Sequence, residues 1–173
     1  AARIDLAVEL VSSMTRLASA EKREDLSAQA LNSKALVQLR QKEFPSAVTS
    51  AQAALKAAQK SGQPALEALS FLLWGEAQLN CGDPESGLSG GQKAIELYRT
   101  ILDTCGMGRA FCLVSAANLQ IKYLDASRAA AQSAMGLCQT AADQLGLGNA
   151  LILLSQTDTD VSEKMRHIAQ AAK

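Results

Sequence analysis

Small and apolar residues return along this chain at helical spacing, and the helical segments themselves return in blocks. Counting from Ala28, Ala68, Ala110 and Ala150, which are 40, 42 and 40 residues apart, the same pattern restarts each time. Three positions on stand Leu31, Phe71, Leu113 and Leu153, and eleven positions on stand Leu39, Leu79, Ile121 and Val161. Seven positions on stand Ala35, Gly75, Ala117 and Thr157. Offsets of three, seven and eleven share one face of an α-helix. Nineteen positions on stand Ala47, Gly87 and Ala129, a second small surface. Two small surfaces so placed predict two antiparallel helices that cross closely. Between them lie Lys42-Glu43-Phe44-Pro45, Cys81-Gly82-Asp83-Pro84 and Lys122-Tyr123-Leu124-Asp125. Proline there ends one helix and starts the next. A single hairpin cannot bury its apolar face, so the blocks must stack.

The pattern predicts helices over 3–20, 25–42, 46–61, 64–81, 85–104, 107–122, 125–144 and 147–172, the last broken near Asp158. The expected fold class is all-α, an α-α superhelix of antiparallel helical hairpins. A single solenoid over 1–173 divides into a partial leading repeat (3–20), repeats at 28–61, 68–104 and 110–144, and a terminal repeat or cap at 147–172. Residues 147–157 open a fourth repeat and 160–172 read as a last, more polar helix, as a terminal cap requires.

Small residues at positions 8, 20 and 27 of each hairpin read Ala35/Ala47/Ala54, Gly75/Gly87/Ala94 and Ala117/Ala129/Gly136. With the block Trp74 to Pro84, they make the chain resemble the tetratricopeptide (TPR) repeat family over residues 3–157. The usual repeat is about 34 residues, and this one is similar to the longer variant of kinesin light chains and some polarity scaffolds. The third block departs from the family pattern, since its turn has neither glycine nor proline.

The resemblance implies a non-catalytic protein–protein scaffold or adaptor that holds a peptide or helix in its concave groove. Groove positions carried over from the family fall at Gln29, Asn32, Leu36 and Arg40, then Leu69, Leu72, Glu76 and Asn80, then Phe111, Val114, Asn118 and Lys122. The clamp that such arrays use on a chaperone's terminal carboxylate needs lysine and asparagine where this chain has Asn32 and Leu36. A groove of this make-up suits an apolar helix or extended segment instead. The alternative is a structural accessory subunit of a large assembly, such as an organelle membrane complex.

Composition narrows the partners. The chain is 48% hydrophobic and 3% aromatic, rich in the alanine and leucine that favour closely packed helices. Lys+Arg 17 balances Asp+Glu 17, so no net charge draws it to nucleic acid or an anionic membrane. No apolar run nears the ~20 residues of a membrane span. No secretory leader is expected from the first residues given, and a first residue of alanine fits a cleaved presequence or a piece of a longer repeat protein.

Candidate chemistry is sparse. Cys81, Cys105, Cys112 and Cys138 form no C-x-x-C pair and read as reduced thiols of a reducing compartment, cytoplasm or organelle interior. The Gly106-Met107-Gly108 stretch reads as a loop that separates Cys105 from Cys112. His167, the only histidine, reads as a solvated helix residue with no ligand cluster nearby. Leu88-Ser89-Gly90-Gly91-Gln92 spells the signature pentapeptide of ATP-binding-cassette ATPases. The phosphate-cradling G-x-x-x-x-G-K-[S/T] loop that must accompany it is missing. Its glycines read instead as helix contacts. No catalytic, cofactor-binding or metal-ligating residue is expected.

Overall fold

A computed structural model describes the backbone of residues 2–158 and 161–171, and the side chains among them except those of 2–5, 19 and 161–164. The described residues form nine helices and no strand. They are α1 (Ala2–Glu21), α2 (Glu24–Arg40), α3 (Phe44–Ser61), α4 (Pro64–Asn80), α5 (Pro84–Thr100), α6 (Thr104–Gln120), α7 (Leu124–Thr140), α8 (Gln144–Thr157) and α9 (Val161–Ala171). From α2 to α8 a helix starts every twenty residues, so the hairpin repeat is forty throughout.

The turns explain this regularity. Lys22, Lys42, Gly62, Gly82, Leu102, Lys122 and Ala142 take left-handed backbone angles, again at every twentieth position. At five of these turns the left-handed residue bonds back three positions and its successor five, as Leu102 N to Arg99 O and Asp103 N to Tyr98 O. That pair of bonds satisfies the last carbonyls of one helix and reverses the chain. The successor then caps the next helix. Asp83, Asp103 and Asp143 accept bonds from Ser86, Gly106 and Gly146 backbone N–H groups. Pro45, Pro64 and Pro84 occupy first-turn positions, where a missing N–H costs nothing.

Consecutive helices pack antiparallel, and α2, α4, α6 and α8 also touch in succession along one side. The result is an α-α superhelix with these four helices on its inner face and α3, α5 and α7 outside. Each hairpin seam is made of small residues. Ala35, Ala47 and Ala51 close α2 on α3. In α4–α5, a Cβ on Gly90 would stand 2.8 Å from Gly75 Cα. In α6–α7, Ser115 and Ser127 are fully buried and exchange bonds, each hydroxyl donating to the other's carbonyl at 2.9 Å.

This corrects the third repeat. Its seam is Ser115, Ser127 and Ala134, each forty residues from Gly75, Gly87 and Ala94, rather than Ala117, Ala129 and Gly136. Ala117 is buried, but Ala129 and Gly136 lie on the surface. The helix boundaries shift accordingly. α5 ends at Thr100 and α6 starts at Thr104, where 85–104 and 107–122 were expected. α7 ends at Thr140 and α8 starts at Gln144, in place of 125–144 and 147. The Asp103 and Asp143 caps set these starts, and Gly106 and Gly108 lie inside α6 rather than in a loop.

The pentapeptide from Leu88 to Gln92 lies inside α5, a turn past its start. A Cβ on Gly91 would meet Val114 Cγ2 at 2.8 Å, so its glycines bring α5 against α4 and α6.

Candidate functional site

The inner faces of α2, α4, α6 and α8 enclose a groove of about 870 Å³, with Met14 of α1 at one end. Its lining repeats at the forty-residue step. Gln29, Leu69, Arg109 and Asn149 form one row, Asn32, Leu72, Cys112 and Ile152 a second, and Leu36, Glu76, Ala116 and Gln156 a third. Arg40 and Asn80 extend the rim at the C-terminal ends of α2 and α4.

All the groove positions expected on the first two repeats line it: Gln29, Asn32, Leu36 and Arg40, with Leu69, Leu72, Glu76 and Asn80. Those expected on the third repeat do not. Phe111 packs against the core and Val114 sits under Gly91 of α5. Asn118 is buried and donates to Val114 O, and Lys122 holds a left-handed turn. The 42-residue step placed them two residues late, and two residues turn a helix by about 200°. The groove face of α6 is Arg109, Cys112 and Ala116 instead. Stepping forty from Leu69 and Leu72 finds them, and the Asp103 cap is the sequence signal for that phase.

The residues differ in what they leave free. Asn32 is buried; its Oδ1 accepts from Ser70 Oγ at 3.0 Å and so ties α2 to α4. Leu72 is 9% exposed and belongs to the main core cluster. Leu36 and Ile152 are 45% and 48% exposed, so their side chains are available to a ligand.

Glu76 projects into water from the middle of the leucine-lined stretch. The apolar walls hold its carboxyl above the usual range by desolvation, with the Arg40 charge opposing. Neither Glu76 carboxylate nor Arg40 guanidinium forms an ion pair among the described residues, although both line the groove.

At the other end the charges are spoken for. Arg109 Nε donates to Asp143 Oδ2 at 2.8 Å, and the Cys105 thiol donates to the same oxygen at 3.3 Å. The Arg109 bond chiefly lowers the Asp143 carboxyl to about 2, helped by the Gly146 N–H. Burial pushes the Cys112 thiol up to about 12 and raises Cys105 and Cys138 as well. All four cysteines are free thiols, and these three are held in the protonated, weakly nucleophilic form. Cys105 and Cys112 share one continuous helix, contrary to the loop expected between them.

His167 is not solvated either. Its Nδ1 lies 2.7 Å from Asp158 Oδ2, and Arg128 reaches Thr157 O beside it, so the three tie α7, α8 and α9 together. Among the described residues no group of three His, Cys, Asp or Glu side chains can hold a metal ion. No helix among them is long and apolar enough to cross a membrane.

Comparison with protein-family models found no match, and comparison with curated proteins found none either.

Proposed function

We propose that this chain is a TPR-like scaffold or adaptor, non-catalytic, which grips a segment of another protein in the groove of α2, α4, α6 and α8. The observation that carries this reading is the exposure of Leu36 and Ile152 within a concave face whose floor is leucine. Apolar side chains left in water inside a concavity gain by being covered.

The test follows from exposure. Leu72→Asp and Val114→Asp would introduce charge into the core, since both residues are buried. Leu36→Asp and Ile152→Asp change the groove alone. Each is expected to abolish recovery of protein partners from a cell extract, read by mass spectrometry, while circular dichroism stays helical. Undiminished recovery of the same partners by both variants would refute the reading.

A second reading rests on α1. Leu6, Leu10 and Leu17 are exposed at 67%, 61% and 61% on a helix that, among the described residues, packs only against α2. That apolar stripe favours a fixed place in a larger assembly, as an accessory subunit. Changing all three leucines to glutamine separates the two, because it leaves the groove intact.

A further inference from the structure

Among the described residues Glu76 is the one acidic side chain that lines the groove, its carboxylate has no ion-pair partner there, and its neighbours say what it would take. It stands on α4 between Leu72 one turn before it and Leu79 and Asn80 one turn after, and faces Leu36 and Arg40 of α2. The side chain is exposed, and the apolar walls around it only partly strip water from its carboxylate. A segment that covers Leu36 and Leu69 expels that water, and an ionised carboxylate shut in without a donor is strongly disfavoured. Arg40 does not supply the donor in the free chain, because no ion pair joins the two.

The amides at the two ends of the groove add a second constraint. Gln29, Asn149 and Gln156 line it with side-chain amides that bond to nothing else among the described residues. Each offers donors and an acceptor. An extended segment has unpaired main-chain N–H and C=O groups to meet them, whereas the middle of a helix has none.

Resting on the groove reading above, we infer that the partner segment is an extended, mainly apolar peptide carrying one lysine or arginine that docks on Glu76. The leucines select the apolar side chains, the amides hold the main chain, and the carboxylate sets which position carries the cation. Acidic segments are rejected by the same carboxylate.

A random twelve-residue peptide library displayed on phage, panned on the intact 173-residue chain, tests this. The enriched sequences are expected to share apolar residues around one lysine or arginine. With a synthetic peptide of that consensus, fluorescence anisotropy should show about fivefold weaker binding when norleucine replaces the cation, the size of one partly desolvated charge pair. Glu76→Gln should erase that difference, and Glu76→Lys should turn the selection toward aspartate or glutamate. Glu76 is exposed, so both variants keep the fold. An apolar consensus with no basic position, or a lysine preference that survives Glu76→Gln, would overturn the inference and leave the groove reading standing. Enriched peptides whose binding ignores both Leu36→Asp and Ile152→Asp would overturn the groove reading, and this inference with it.

Discussion

The α4–α5 and α6–α7 hairpins occupy the same place in successive repeats and solve the same contact differently. In α4–α5 the backbones approach through Gly75, Gly87 and Gly90, and Gly87 also lies against Leu79 Cβ. In α6–α7 the equivalent positions are Ser115 and Ser127, whose hydroxyls bond across the seam. Glycine gains the closest approach and gives up helix propensity, about 1 kcal/mol per residue relative to alanine. Serine gives up less propensity and must keep its hydroxyl satisfied, a condition that the reciprocal bonds meet. The seam therefore tolerates different chemistry as long as volume stays small and polar atoms stay paired.

The largest effect expected from breaking this pairing is at Gly90. Gly90→Ala would set a Cβ 2.8 Å from Gly75 Cα and 2.9 Å from Phe71 O, both backbone atoms that cannot swing aside. A loss of about 2–3 kcal/mol is expected in chemical denaturation, after the gain in propensity is subtracted. A neutral result would mean that the two helices can part without penalty.

The serine-sealed hairpin also leads into α8 through Asp143, whereas Asp83 in the glycine-sealed one caps without an arginine. The Asp143 carboxyl is lowered from its ordinary 3.8 to about 2, so it stabilises the fold above pH ~4 and loses that effect as pH falls toward 2. Asp143→Asn keeps a capping side chain and loses the charge. It is expected to lower stability by about 1–2 kcal/mol at neutral pH, discounted because Arg109 is half in water. The gap to the parent protein should close as the melts are repeated down to pH ~2. A gap independent of pH would assign the effect to the cap alone.

Ser115→Ala removes one buried donor, for an expected loss of about 1 kcal/mol. The smallest change has the opposite sign. Gly136 lies on the outer surface of α7 with no atom within 4 Å of an added Cβ. Gly136→Ala should raise stability by about 0.5–1 kcal/mol through propensity alone. Equal responses at Gly136 and Gly90 would show that close approach is irrelevant to both.

Much of the architecture was legible without coordinates. The period-3.6 pattern, the prolines at Pro45, Pro64 and Pro84 and the alanine-rich composition point to paired helices in a stack. The resemblance to tetratricopeptide repeats adds the groove positions of α2 and α4, from Gln29 to Asn80. The phase of the third repeat was not legible from side-chain size, for a physical reason. Alanine suits a buried seam and an exposed helix surface alike, so Ala117/Ala129 matches the pattern as well as Ser115/Ser127 does. Serine, read alone, looks like a surface residue; only its partner across the seam shows why it is buried.

Volume exchange across the outer contacts was equally hidden. Ala58 faces Leu66, while Tyr98 packs on Gly106 and Cys138 on Gly146. The larger partner changes sides between the first two steps, and the third pair, Cys138 with Gly146, is the smallest. The linear order of residues determined by itself that this protein is all helix, where most of its turns fall and that its hairpins stack. Which helix face turns inward on α6, and hence that Arg109 and Cys112 rather than Phe111 and Val114 meet the groove, was decided by packing, with the Asp103 cap as its trace in the sequence. A two-residue slip leaves composition and periodicity nearly unchanged, yet it rotates every side chain to the opposite side of the helix.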